Sequence, residues 1–236
     1  MLSAVFLAFE DLLDAAQRRA LLLSLVTAIA LLVAIWFGVT LLLQLIAVTG
    51  FTWIDRIIGV LGSAGTLVFA WLLFPAMSAV AMSFFLDGVA GAVEARHYPG
   101  LPPRRRQSLG EVLRVSLRLA LLAILVNLIA LPFYFWPVIN LLVYYGLNGY
   151  LVGREYFVLV ALRRLDGSAA DAMWRRYWPR LILAGAGVAF LLSLPLVNLV
   201  APIWATAFLV HVFESLRANA AAGTTRATRI EPNSRV

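Results

Sequence analysis

Long uncharged hydrophobic runs, parted by short polar segments, set the pattern of this chain. Residues 20–48 and 57–86 carry no charge, and each exceeds the roughly 20 residues that cross a bilayer as helix. The chain is apolar again from 115 and from 181, and each of these later runs is interrupted in the same way. Pro137-Val138-Ile139-Asn140-Leu141 and Pro195-Leu196-Val197-Asn198-Leu199 both pair a helix-breaking proline with an Asn three residues on. In lipid a freed backbone group costs several kcal/mol unless protein or trapped water satisfies it. Two readings fit: half-helices meeting inside the membrane, as in transporters, or hairpin turns at its surface. Residues 181–194 would rise about 21 Å as helix, short of the roughly 30 Å hydrocarbon core, whereas 115–135 would nearly cross.

The predicted fold is therefore an all-α integral membrane protein. Two long transmembrane helices precede two proline-broken helical hairpins, at least one too short to span. Residues 1–16 set Val5, Phe6, Phe9, Leu12 and Leu13 against Glu10, Asp11 and Asp14, the pattern of an amphipathic interfacial helix. The link at 49–56 carries Phe51 and Trp53 as interface anchors. Gly59, Gly62, Ser63 and Gly65 open the second long run to close helix approach. His97-Tyr98-Pro99-Gly100 begins a basic loop through Arg106. At 163–180 a polar stretch has a turn at Asp166-Gly167-Ser168 and an interfacial face of Met173, Trp174, Tyr177 and Trp178. The membrane domain is expected to cover 1–216, with a disordered cytoplasmic tail at 217–236.

Composition agrees with this reading. The chain of 236 residues is 63% hydrophobic and 13% charged, about half the charge of a soluble domain. The first run is too long for a signal-peptide core, and acidic residues stand where a signal would be basic. Cysteine is absent, which excludes disulfides and thiol chemistry. The net charge of +7 arises from arginine alone, with no lysine, so every cation is a planar fork able to grip an oxyanion. All but Arg56 lie before the first run, at 87–118, at 153–180 or after 213. Even numbers of passes separate these segments, so they can share one side. The positive-inside rule makes that side, and both termini, cytoplasmic. A basic flank of this kind meets anionic lipid and does not require nucleic acid as a partner.

Three groups are candidates for chemistry. Asn140 and Asn198 offer both donor and acceptor, to satisfy backbone freed at a hairpin tip or to line a pathway. Helices beginning after Pro137 and Pro195 would also turn their N-termini toward the breaks. Arg18 and Arg19 stand at the mouth of the first long run, as topology anchors or as guanidinium forks for a tetrahedral oxyanion. Arg154 and Glu155 are adjacent at a helix exit, as a solvated ion pair or as a proton-coupling site. No enzyme motif is present, and no cofactor is implied. His97 and His211 lie far apart in the chain, so no metal site is read from spacing. Gly185-Ala186-Gly187 reads as a packing feature.

Leu147-Asn148-Gly149-Tyr150-Leu151-Val152-Gly153-Arg154-Glu155-Tyr156-Phe157, continuing through Val160-Ala161-Leu162-Arg163-Arg164, resembles the signature of the CysZ-like sulfate transporter family, also called the etoposide-induced protein family. The resemblance runs over roughly residues 4–216, in the style of alphaproteobacterial members. It implies a multi-pass bacterial inner-membrane protein, oligomeric, that takes up sulfate for cysteine biosynthesis. Its sulfate-binding arginines belong to a Gly-Leu-Arg-type motif before the first long helix. Here that place reads Ala16-Gln17-Arg18-Arg19: the arginines carry over and the Gly-Leu does not. A membrane scaffold or quality-control protein, and a permease for another oxyanion, are the competing functions.

Overall fold

A computed structural model of the protein describes residues 1–46, 84–194 and 197–230, together with positions 62, 65, 68 and 81. Most of the second long run, the 49–56 link and Pro195 lie outside the described residues. Among those described there are seven α-helices, two 3-10 turns and no strand. The helices are α1 (Leu2–Asp11), α2 (Ala15–Ile46), α3 (84–97), α4 (Leu109–Ala130), α5 (Pro137–Ala161), α6 (Gly167–Leu192) and α7 (Ala201–Ile230).

Local chemistry sets most of these ends. The Ser108 hydroxyl accepts from the Glu111 amide at 3.2 Å and caps α4, and Asp166 caps α6 by accepting from the Ala169 amide at 2.8 Å. Each cap satisfies a donor that the first helical turn leaves open. α4 passes into a 3-10 turn at Leu131–Phe135, Trp136 is extended, and Pro137 starts α5 at a position where a missing N–H costs nothing.

The second break is built differently. α6 ends at Leu192, a 3-10 turn spans Val197–Leu199, and α7 begins only at Ala201. Asn140 therefore sits in the first turn of a helix, whereas Asn198 sits in the 3-10 turn. The two near-identical pentapeptides are not structurally equivalent. Among the described residues after the second proline, an α-helix starts only at Ala201.

Among the described residues two stretches, Ala15–Leu41 and Leu113–Phe135, are long and apolar enough to cross a membrane. The second comprises most of α4, the arm that the sequence reading has nearly crossing. Both carry large apolar side chains outward, among them Phe37 and Leu41 on α2 and Leu121 and Ile124 on α4. On a protein surface this apolar area is stable only against lipid or another chain.

The tightest contact joins α5 to α6. A Cβ at Gly185 would collide with the backbone of Gly149 and Gly153, and one at Gly153 would meet the Leu181 carbonyl oxygen at 2.6 Å. Glycines facing each other let the two backbones touch. α7 runs through the centre, with residues 201–214 buried. α1 packs its Ala4, Ala8 and Asp11 face inward and turns Leu2, Phe6 and Phe9 outward.

α6 includes residues 167–180 of the polar stretch together with the apolar run after it, bent where Tyr177 leaves helical geometry (φ −120°, ψ 17°) just before Pro179, a residue that removes one backbone donor and kinks the helix. Trp174 is buried while Trp178 is exposed. α7 is helical to Ile230, and Ala218, Ala220, Ala221 and Ala222 favour helix without an apolar period.

Candidate functional site

Among the described residues, networks of ion pairs join the ends of α1, α3, α5 and α7. Arg163, just past the end of α5, is the hub. Its Nε and Nη2 donate to the two oxygens of Glu94 on α3, both at 3.0 Å, and its Nη1 donates to the Asp87 carboxylate and, at 3.1 Å, to the Asp87 carbonyl oxygen. Arg163 and Glu94 are both buried. Arg164 donates to Glu94 at 2.6 Å and to the Pro102 carbonyl oxygen. The Arg105 amide donates to the Arg163 carbonyl oxygen at 2.9 Å, while its side chain forks onto Glu111 at 2.9 and 2.8 Å. Such bidentate pairs fix orientation as well as charge. The basic loop is thereby held at both ends.

A second cluster lies around Asp11, which is fully buried. His97 Nε2 is 2.7 Å from one carboxylate oxygen and His211 Nε2 is 2.9 Å from the other. The Tyr98 hydroxyl is 2.9 Å from His211 Nδ1, and Arg96 lies 3.6 Å from Asp11. Burial pushes the His211 imidazole below its ordinary value, although Asp11 pulls the other way. A neutral His211 imidazole that donates Nε2–H to the carboxylate leaves Nδ1 to accept from the Tyr98 hydroxyl. The three ligand atoms lie within 4.8 Å of one another, a donor set of the type that holds a borderline divalent ion; as arranged it is a hydrogen-bonded tie between α1, α3 and α7. The two histidines, 114 positions apart in the chain, thus have ring centroids 4.9 Å apart.

The third cluster bridges α4, α5 and α6. Arg118 donates to Asp171 at 2.9 Å, and Arg154 donates to the other oxygen of the same carboxylate. Burial raises the Asp171 carboxyl, but hydrogen bonds and charge from Arg154 and Arg118 outweigh this and hold it below its ordinary value. The Arg154 guanidinium also lies 5.0 Å over the Trp174 ring. Beside this bridge is a cavity of about 840 Å³ lined by Arg114, Arg118, Arg154, Ser108 and Ser168, with Leu119, Leu122 and Tyr150 as its apolar wall. A smaller cavity of about 520 Å³ is lined by Asp87, Gln107, Ser116 and Glu155.

Arg154 and Glu155 form no ion pair with each other among the described residues. Neighbours on a helix point about 100° apart. Arg154 is buried against Asp171 and Trp174, whereas Glu155 is exposed toward the smaller cavity and has no ion pair among the described residues. Arg18 and Arg19 stand exposed in the first turn of α2, at the foot of the first candidate span, with no carboxylate partner among the described residues. Next to them Gln17 is buried, and its Oε1 has no hydrogen-bond partner. The side chains of Asn140 and Asn198 make no hydrogen bond among the described residues, so neither carboxamide caps its break there. Their backbone amides donate to Trp136 and Leu194 carbonyl oxygens at 2.7 and 2.8 Å. No hydrogen bond or ion pair joins Arg18 or Arg19 to Asn140, Asn198 or Arg154 among the described residues.

Helical throughout its described residues, with two outward-facing apolar helices, the chain falls in the class of helical membrane proteins. Within that class its membership is specific: the family described as "Sulfate transporter CysZ/Etoposide-induced protein 2.4" matches residues 4–202, and the chain belongs to it. No curated protein matches the chain.

Proposed function

We propose that this protein is an oxyanion permease of the bacterial inner membrane that admits sulfate for cysteine biosynthesis, with Arg18 and Arg19 as the capture site. Family membership supports transport of an oxyanion. The observation that carries the site is the state of the two arginines: exposed, without carboxylate partners among the described residues, and in the first turn of a candidate span. Many other arginines here are tied to Asp or Glu and have donors already engaged. The N-terminal end of α2 adds partial positive charge at the same place, with Asp14 accepting from the Ala15 amide at 2.9 Å and from the Arg18 amide at 3.0 Å. Sulfate is fully deprotonated at neutral pH and needs donors only, which guanidinium forks supply.

In this reading the two hairpins line the passage, with Asn140 and Asn198 at their tips, both termini are cytoplasmic, and the chain works as a homo-oligomer through its outward apolar faces. The test is uptake of labelled sulfate by proteoliposomes, with phosphate as competitor. Arg18→Ala/Arg19→Ala is expected to reduce sulfate uptake at least tenfold while leaving the thermal midpoint of the purified protein unchanged, because both side chains are exposed and unpaired. Equal uptake by the double variant would remove these arginines from the site. Absence of anion movement by the unaltered protein would favour the membrane scaffold.

A further inference from the structure

We propose that the cavity between α4, α5 and α6 is a binding site for an anionic phospholipid, with the phosphodiester of the headgroup held by Arg114, Arg118 and Arg154. Its donors are not all spent. Arg114 has no hydrogen bond or ion pair among the described residues, and Arg154 Nη1 is buried without an acceptor. The cavity's own carboxylates, by contrast, are each engaged. Glu111 takes the Arg105 fork, Asp166 accepts from Ser168 Oγ and the Ala169 amide, and Asp171 is shared by Arg118 and Arg154. Arg105, Arg114, Arg118 and Arg154 against those three carboxylates leave one positive charge. A phosphodiester carries one negative charge and only acceptor atoms, so it complements the site in both respects. Sulfate, with two charges, does not match this balance.

Position selects a lipid as the source of that group. Arg114 and Arg118 stand in the first two turns of the candidate span Leu113–Phe135, where the headgroup layer meets hydrocarbon. Beyond the arginines the wall turns apolar at Leu119, Leu122 and Tyr150, which gives the glycerol and upper acyl chain a dry surface. A cationic mouth with an apolar floor beside a membrane helix is the form taken by headgroup pockets in inner-leaflet lipid recognition. The site makes no use of Arg18 or Arg19 and stands or falls apart from the transport reading.

Native mass spectrometry of the full chain in detergent tests this with phosphatidylglycerol, zwitterionic phosphatidylcholine, soluble glycerol phosphate and sulfate as separate probes. Phosphatidylglycerol is expected to be retained over phosphatidylcholine. Arg114→Ala should weaken that retention about fivefold, and Arg114→Glu more. Because Arg114 is exposed and unpaired, these variants keep the fold. Leu122→Trp, which fills the apolar wall and leaves every charge in place, should also lose the lipid. Equal retention of the two lipids, or phosphatidylglycerol retention untouched by Arg114→Glu, would overturn the proposal. So would binding of glycerol phosphate or sulfate that Arg114→Glu abolishes and Leu122→Trp spares, since the site would then take a free oxyanion.

Discussion

Gly185 and Gly187 are two residues apart on α6 yet face opposite demands. A methyl group at Gly185 would drive into the α5 backbone at Gly149 and Gly153, whereas a Cβ at Gly187 meets nothing within 4 Å. Neither backbone can yield without separating the helices. Gly185→Ala is therefore expected to cost about 1–3 kcal/mol or more through overpacking. Gly187→Ala is expected to be neutral, or to stabilise by up to about 1 kcal/mol through helix propensity. Thermal unfolding of the two variants in detergent checks the contrast, and equal midpoints would mean that α5 and α6 do not touch through Gly185. The packing role of this glycine pair is visible in the sequence, but which of the two matters is not, because that depends on a helix thirty residues away. Longer separations, 86 and 200 residues, hide the cluster at Asp11: a carboxylate read as the wet side of an interfacial helix is fully buried, on partners from α3 and α7. Its only local sign is an acidic residue among apolar ones, which an interfacial helix explains equally well.

At the scale of elements, the resemblance between the two proline breaks identifies where helices end and misleads about how they restart. Pro137 serves as the first residue of α5, whereas the second break continues through a 3-10 turn before α7 begins. Periodicity and proline locate both interruptions; the exact restart depends on what each turn packs against. Long-range ion pairs are the part that sequence reading lacks. Arg163 ties α5 to Glu94 and Asp87 of α3, while Arg164 and the Arg163 carbonyl hold the loop at Pro102 and Arg105. Removing one member of a buried pair strands the other, at about 3–5 kcal/mol. Arg163→Ala is therefore expected to lower the unfolding midpoint sharply and to open the 98–108 loop to protease. Arg163→Lys should rescue little, because an ammonium cannot fork onto Glu94 while also reaching Asp87. Wild-type protease resistance in Arg163→Ala would show that the loop is held by other contacts.

Among the described residues the buried charges sit at one end, and His211 and Asp171 each tie stability to a pH window of its own. His211 titrates below its ordinary 6.5, first because burial disfavours the imidazolium and despite the pull of Asp11. Its contribution is complete above that value and is lost as pH falls through the lower value of the folded state. Asp171 titrates below its ordinary 3.8 because Arg154 and Arg118 outweigh the effect of its burial. Its contribution is complete above 3.8 and disappears as pH falls through the folded value. Acid therefore weakens first the tie between α1, α3 and α7, and only later the bridge between α4, α5 and α6. Unfolding midpoints measured from about pH 8 to about pH 3 should fall in two steps. His211→Gln should flatten the upper step alone. Asp171→Asn should lower the neutral-pH midpoint, since two arginines lose their shared carboxylate, and should flatten only the lower step. A midpoint that stays constant down to about pH 5 in the unaltered protein would mean that His211 is as easily protonated in the fold as in the unfolded chain. In that case Asp11, not burial, governs its charge, and the α1 tie is an ion pair.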